Sequence, residues 1–438
     1  MKTHHYLLEF AKYTSLNVLG MIALSCYILA DTFFVSKGLG TNGLAALNLA
    51  IPIYSFIHGS GLMIGMGGGT RYSIQKSQQE HSGASQTFTH AVVLSVLFAV
   101  FFVLAGLFLP GAIVSLFGAE GAVFDLSRTY LRVILLFAPA FLMNNVFLCF
   151  VRNDGAPQLS MAAMIGGSLS NVVLDWVFIF PCKMGIFGAA FATGLAPIIS
   201  MLILSPHFIR RKNQFHLIRC RLESRILGRI LSSGVPSLVT EVSSGVVIII
   251  FNAIILNLEG NVGVAAYGVI ANLSLVIIAI YTGIAQGIQP IFSRSYGVLN
   301  FPGIHATLRY ALITMAAVSV LVYAVIFFFA SPIAAVFNSE HNEQLQQIAA
   351  EGLRLYFTAC PFAGFNVIIS MYFTSTEQPK PAHLISILRG FLLIIPMAFL
   401  LSWIGNIRGV WCAFPSTELL VACIGLVCFL SVRKSRQN

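Results

Sequence analysis

Long apolar stretches follow one another along almost the whole chain, and each is long enough to cross a lipid bilayer. About 20 apolar residues span the hydrocarbon core. Only 9% of the 438 residues are charged and 57% are hydrophobic, whereas soluble domains carry about 25% charged residues. The predicted spans are 13–36, 44–70, 87–109, 128–150, 159–180, 186–206, 230–257, 264–290, 306–330, 352–375, 382–402 and 408–431. We therefore predict an all-α polytopic membrane protein with twelve transmembrane helices.

The loop between spans 6 and 7 is the most basic part of the chain. Its cations are Arg210, Arg211, Lys212, Arg219, Arg221, Arg225 and Arg229. Because positive residues concentrate on the cytoplasmic side of membrane proteins, both termini of this multi-pass chain are predicted to be cytoplasmic. The formal net charge of +10 then reflects topology. A nucleic-acid partner is not expected, since there is no soluble basic domain, but the loop is expected to touch anionic membrane lipid.

The second half of the chain repeats the first. The pattern Gly-x-x-Gly-x-Ala-Ala at 40–46 recurs at 260–266, a shift of 220 residues. At a shift of 222, Pro139, Asn144 and Pro157 match Pro361, Asn366 and Pro379. Six spans separate the copies, so both copies insert in the same direction. We predict two parallel six-helix bundles, residues 1–206 and 230–438, joined by a basic cytoplasmic linker at 207–229, a recurrent transporter design.

Two carboxylates lie inside apolar spans of the first bundle. Asp31 is in span 1 and Asp175 in span 5, where an ionisable group costs about 2.5–3.5 kcal/mol on insertion scales and usually has a function. Both spans run outward and carry the aspartate at a similar depth. Asn171 shares a helix face with Asp175 at i, i+4, and Thr193 of span 6 falls at a matching depth.

These four side chains could bind a cation or a proton. Two carboxylates, an amide carbonyl and a hydroxyl are the oxygen ligands that hard cations such as Na⁺ prefer. Two neighbouring carboxylates also raise each other's affinity for a proton. The structural alternative is a pair of aspartates that cap neighbouring helix ends. No other metal site and no cofactor is predicted.

Three further charges lie within spans of the second half. Glu241, near the middle of span 7, is interpreted as a counter-charge for a cationic substrate, as a second proton site, or as a satisfied structural carboxylate. Arg389 and Glu418 are expected to pair with each other. The eight cysteines are scattered without a CxxC motif, and free thiols are expected.

Several segments resemble the multidrug and toxic compound extrusion (MATE) family, and the similarity covers essentially the whole chain. They are LADTFFVSKGLGTNGLAAL (29–47), RNDGAP (152–157), NVVLD (171–175), GVPSLVTE (234–241) and GVWCAFPSTELL (409–420). The resemblance implies a monomeric antiporter in the cell membrane that exports amphipathic, often cationic, drugs in exchange for H⁺ or Na⁺. The family's cation site uses side chains that match Asp31, Asn171, Asp175 and Thr193, and Glu241 resembles a glutamate that some members use.

Two other functions compete with drug export. A flippase for lipid-linked saccharides would need a more cationic cavity for pyrophosphate, and Arg389 is the one clearly intramembrane base. An intramembrane enzyme would need a nucleophile–base or metal set. No HExxH motif and no metal-type Cys/His spacing occurs in the sequence, so the chain is not expected to be an enzyme.

Overall fold

The computed structural model describes residues 2–338 and 342–437, so residues 1, 339–341 and 438 of the two predicted bundles lie outside it. The helices are α1 Lys2–Ser77, α2 His81–Phe108, α3 Pro110–Leu116, α4 Gly121–Leu136, α5 Ala138–Asn153, α6 Pro157–Ile179, α7 Gly185–Ile209, α8 Ser224–Gly297, α9 Phe301–Phe337, α10 Glu343–Tyr356, α11 Cys360–Ser375, α12 Pro379–Ile387 and α13 Ile394–Gln437. A 3₁₀ turn at Phe357–Ala359 joins α10 to α11, and a π-helical turn at Leu388–Leu392 follows α12. Within the two described ranges there is no β-strand.

Some of these helices contain two membrane spans. The candidate span in α1 runs over the 72 residues Tyr6–Ser77, which at ~1.5 Å per residue is far longer than a hydrocarbon core of about 30 Å. In the part of the chain that the structure describes, eight helices are long and apolar enough to span a membrane, or nine when the bent pair α4 and α5 is one span. Non-helical residues interrupt α1 at Gly40, α8 at Gly260 and α13 at Asn406. Dividing these three helices gives the twelve predicted spans.

The predicted repeat is visible in the backbone at Gly40 and Gly260. Gly40 has φ 67° and ψ −160°, and Gly260 has φ 63° and ψ −155°. This region of backbone space is essentially restricted to glycine. Each glycine turns the chain between the first two spans of its half. The sequence match at a shift of 220 therefore reflects a shared structural requirement for glycine.

The chain forms two compact units. The first unit comprises Ser15–Val242 and Pro290–Phe301, and the second comprises Met1–Thr14, Ser243–Gln289 and Pro302–Asn438. The chain passes from one unit to the other within α1, twice within α8 and once at the start of α9. The domain boundaries proposed above, with a linker at 207–229, remain a prediction.

Small residues allow close helix packing inside the first unit. A Cβ atom added to Gly65 would lie 2.8 Å from the carbonyl oxygen of Asn145, and one added to Gly61 would lie 3.2 Å from Cα of Leu142. The second half of α1 therefore touches the backbone of α5. Gly61, Gly65 and Gly69 recur at four-residue spacing, a pattern that favours such contacts between membrane helices.

A buried polar cluster lies in the second unit. Nε of Arg389 is 2.5 Å from Oε1 of Glu418, which confirms the predicted pairing. The amide of Asn366 donates to Oε2 of Glu418 at 2.7 Å and to its backbone carbonyl at 2.9 Å. Glu418 is 1% exposed, so these donors replace water around its carboxylate. All eight cysteines are free, as expected.

Candidate functional site

Three helices of the first unit bring the four predicted side chains together. Asp31 lies on α1 before the break at Gly40, Asn171 and Asp175 lie on α6, and Thr193 lies on α7. All four residues are buried, and the exposed fractions of Asn171 and Asp175 are zero. Helix α6 begins with Pro157 in its first turn, where a missing N–H is harmless. Asn171 and Asp175 share one face of α6 because they are four residues apart.

The side chains of Asp31 and Asp175 lie within hydrogen-bonding reach of each other. Two carboxyl groups at this separation can form a hydrogen bond only when one of them carries a proton. The Oδ1 atom of each aspartate is buried and has no hydrogen-bond partner among the described residues. A buried acceptor without a partner costs about 1–3 kcal/mol. The pair therefore retains the capacity to bind a proton or another cation.

Asn171 links this carboxyl pair to α7. In the amide orientation that satisfies both of its ends, Nδ2 donates to Oδ2 of Asp175 at 3.0 Å and Oδ1 accepts from the backbone N–H of Thr193 at 3.3 Å. Such orientations are assigned from the hydrogen-bond network. The hydroxyl of Thr193 donates to the carbonyl of Ala189 at 3.1 Å. Asn171 thus presents a donor, rather than its carbonyl, to the carboxyl group of Asp175.

Tyr130 on α4 belongs to the same cluster. It lies beside the side chain of Thr193 and close enough to Asp31 and Asp175 to interact with both electrostatically. The residue is 3% exposed. Sequence reasoning did not single out Tyr130, because a tyrosine near the end of an apolar span resembles an ordinary interfacial aromatic residue.

A second acidic group of the first unit lies near a pair of tyrosines. Oε2 of Glu241, on α8, is 3.5 Å from Nδ1 of His58, and the side chains are 32% and 14% exposed. The ring of His58 stacks on the ring of Tyr54 at a centroid distance of 5.9 Å. The hydroxyl of Tyr54 lies 2.8 Å from that of Tyr27, one helical turn before Asp31. The two predicted acidic sites therefore lie in one unit, with aromatic side chains between them.

The described residues offer little else to a metal ion. No three His, Cys, Asp or Glu side chains of these ranges come together in an arrangement that could hold a metal.

Comparison with known proteins agrees with this architecture. The family model MatE matches residues 18–177 and 236–400, which is most of the chain and covers both copies of the repeat. The fold and the sequence therefore define a multi-pass membrane transporter. The chain belongs to the MATE family.

Individual relatives are distant but similar over their full length. The multidrug export protein MepA of Staphylococcus saprophyticus is 22% identical over 416 residues, covering 94% of this chain and 91% of MepA. The outward-facing structure of a multidrug resistance MATE family transporter of the MOP superfamily superposes with a TM-score of 0.92 at 24% identity, covering 98% of this chain and 96% of that one. A MOP superfamily transporter from Pyrococcus furiosus gives 0.91 at 24% identity, with the same coverage.

Proposed function

We propose that this protein is a secondary active antiporter that exports amphipathic and cationic organic compounds across the cell membrane, and that Asp31 and Asp175 bind the coupling ion. One observation carries the proposal: two buried carboxyl groups lie within hydrogen-bonding reach of each other, and each keeps one oxygen without a described partner. Neutral residues would satisfy a purely structural site at lower cost. The name of the MepA relatives supports drugs as the cargo.

The geometry favours H⁺ over Na⁺ as the coupling ion. A proton shared by Asp31 and Asp175 accounts for their direct contact, as in other carboxyl dyads. A sodium ion would need further oxygen ligands. Asn171 turns its NH₂ group toward Asp175, and the Thr193 hydroxyl is engaged with a backbone carbonyl. Sodium binding would therefore require both side chains to reorient.

Coupling requires the ion and the drug to prefer different conformations. A ligand shifts a conformational equilibrium only through its differential affinity for the two states. In the proposed cycle, protonation of the aspartate pair in the outward-open state rearranges the contacts among α1, α6 and α7 and lowers the affinity for drug. Deprotonation toward the cytoplasm resets the site. The predicted cytoplasmic location of both termini and a monomeric state are part of this proposal.

Glu241 is the proposed counter-charge for a cationic substrate or a second proton site. Its carboxylate is one-third exposed, unlike that of Asp175, and His58 and Tyr54 lie beside it. Aromatic faces attract organic cations by about 0.5–2 kcal/mol. The combination of a carboxylate and an aromatic ring fits a large organic cation better than it fits a metal ion.

The proposal is tested in proteoliposomes that contain the purified protein and a fluorescent cationic dye. Dye flux is followed under an imposed pH gradient and, separately, under an imposed sodium gradient, for the wild type, Asp31→Asn and Asp175→Asn. The account expects flux with the pH gradient and its loss in both variants. Flux that is driven by the sodium gradient and not by the pH gradient would identify Na⁺, rather than H⁺, as the coupling ion. Wild-type flux in Asp31→Asn would overturn the site assignment.

A further inference from the structure

The segment between α7 and α8 is held firmly although it is not helical. Residues 210–223, here called the strap, lie wholly within the first unit. The side chain of Phe215 is fully buried. Its ring lies 4.6 Å from that of Phe88 and 5.4 Å from those of Tyr72 and Phe150, measured between centroids. One aromatic side chain thus anchors the middle of the strap in the core.

Side chains of α2 bind the backbone of the strap along its length. The N–H groups of His216 and Ile218 donate to the hydroxyls of Ser85 at 3.3 Å and Thr89 at 3.1 Å. These acceptors are one helical turn apart, so they match alternate residues of an extended chain. The N–H of Glu223 donates to Nε2 of His90 at 3.0 Å. The path of the strap is therefore fixed by its backbone and by Phe215.

Asp154 fixes the beginning of the strap. Its Oδ2 accepts from the N–H of Gln214 at 3.1 Å and contacts Nε2 of His207 at 2.8 Å. Its Oδ1 accepts from the Tyr72 hydroxyl at 2.5 Å and from Nζ of Lys76 at 2.6 Å. Burial alone would raise the pKa of Asp154, but the hydrogen bonds from His207, Lys76 and Tyr72 outweigh burial and hold the pKa below its ordinary value.

The cations of this region are left on the surface. Arg210, Arg211, Lys212, Arg219, Arg221, Arg225 and Arg229 are all exposed, and none forms an ion pair within the described ranges. The acid among them, Glu223, accepts from the amide of Gln86 at 3.0 Å. Exposed apolar side chains stand between the cations, with Ile209 76% and Leu217 66% exposed. Because α7 is an apolar span that ends at Ile209, the strap begins at the membrane surface.

We propose that the strap is a preformed binding site for the phosphate groups of anionic phospholipids. Arginine dominates the set, and its planar guanidinium matches phosphate geometry with paired N–H donors. Apolar side chains beside cations suit the boundary between headgroups and acyl chains. Cations near an anionic surface attract its lipids. Because the backbone is already ordered by Asp154, Phe215, Ser85 and Thr89, lipid binding does not have to order the loop.

The test measures how strongly the full-length protein, reconstituted in vesicles with and without phosphatidylglycerol, retains that lipid over phosphatidylcholine. The charge variant combines Arg210→Gln, Arg219→Gln and Arg221→Gln, three exposed cations of the strap. The matched control removes three exposed cations elsewhere with Lys37→Gln, Arg128→Gln and Arg132→Gln. The account expects the preference to fall roughly tenfold in the charge variant and to stay unchanged in the control. An equal loss in both, or no loss in the charge variant, would overturn the proposal.

A second pair of variants tests whether the site is preformed. Phe215→Ala keeps every cation but removes the buried ring that anchors the strap. The double variant Ser85→Ala with Thr89→Ala removes the two hydroxyl groups that accept hydrogen bonds from the strap backbone, and it opens no large cavity in the core. Both are expected to weaken the lipid preference severalfold, and undiminished preference in the correctly folded Ser85/Thr89 variant would show that the order of the strap is irrelevant. Full displacement of phosphatidylglycerol by inorganic phosphate would assign the cations to free phosphate and contradict the lipid site.

Discussion

The hydroxyl groups of Tyr27 and Tyr54 lie 2.8 Å apart, and this hydrogen bond joins the part of α1 that carries Asp31 to the part that carries His58. Both tyrosines belong to one helix that is interrupted at Gly40, so the bond holds its two spans together beside the acidic pair. Glu241 lies next to His58. In the proposed antiporter, the two tyrosines stand between the ion site and the counter-charge for a cationic drug.

Removing either hydroxyl should weaken coupling without preventing folding. We expect Tyr27→Phe and Tyr54→Phe each to reduce proton-driven dye flux severalfold. Since they share one hydrogen bond, worth about 1 kcal/mol, the double variant should be little worse than either single variant. The fluxes are measured in the same proteoliposomes and compared with passive dye leakage. Strictly additive losses would mean that the two hydroxyls act separately.

Glu241 should matter for charged cargo only. We expect Glu241→Gln to raise the apparent KM for a monocationic dye about tenfold and to leave that for a neutral amphipathic compound nearly unchanged, because the variant loses one charge attraction in a partly exposed site. Asp31→Asn, in contrast, should stop gradient-driven transport of both compounds. An equal effect of Glu241→Gln on both cargoes would argue against a counter-charge.

Replacing Gly40 or Gly260 with a residue that has a side chain should destabilise the fold. Alanine at either position must adopt a backbone conformation that costs about 1–3 kcal/mol outside glycine. No atom lies within 4 Å of an added Cβ at either site, so the cost comes from the backbone alone. We expect both variants to lower the thermal unfolding midpoint in detergent. As a control, Gly268→Ala in a helical segment, which also meets open space, should be neutral or stabilising.

Removing one partner of the ion pair between Arg389 and Glu418 should lower the free energy of unfolding more than replacing both partners with apolar residues. Glu418→Met leaves a largely buried guanidinium without its partner, a change that typically costs 3–5 kcal/mol. The double variant Arg389→Met with Glu418→Met removes both charges and should recover most of that loss. Unfolding in detergent measures the difference. A double variant as unstable as the single one would show that Asn366 depends on the carboxylate.

Acid should destabilise the strap by protonating Asp154. Because the folded-state pKa of Asp154 lies below its ordinary value of 3.8, its ionised form stabilises the strap above that value, and the stabilisation is lost as the pH falls through the folded pKa. The groups that face this carboxylate are Tyr72, Lys76 and His207. Amide hydrogen exchange of residues 213–223 should stay slow from neutral pH down to about pH 5. In Asp154→Asn it should be fast already at neutral pH.

Much of the fold could be predicted because its signals are long or repeated. Apolar runs gave the spans, and a glycine that no other residue can replace marked the repeat at 40 and 260. Asn171 and Asp175 are spaced to share one helix face, and all four candidate side chains fall at a similar depth in the membrane. These two features were enough to predict that the four side chains lie close together. The carbonyl of Asn171 was assumed to face the carboxylates, and that orientation depends on contacts across helices that sequence spacing does not encode.

Other features could not be predicted because they depend on tertiary contacts between distant segments. Tyr130 on α4 lies beside Thr193 on α7, and His58 on α1 lies 3.5 Å from Glu241 on α8. The strap looked like a solvated basic linker, because its order comes from backbone N–H groups that bind side chains of α2. A sequence shows which side chains a segment carries, and it does not show where its backbone donors find partners.

The most direct test of the central claim is a measurement of proton release on drug binding. Purified protein in weakly buffered detergent, with a pH-sensitive dye, is titrated with a cationic substrate at a pH where the aspartate pair holds its shared proton. Because linkage is reciprocal, a drug that binds the deprotonated state more tightly must expel protons. The account predicts release that saturates with drug binding and disappears in Asp31→Asn and in Asp175→Asn while drug still binds. Drug binding to the wild type without proton release, or equal release in Asp31→Asn, would contradict it.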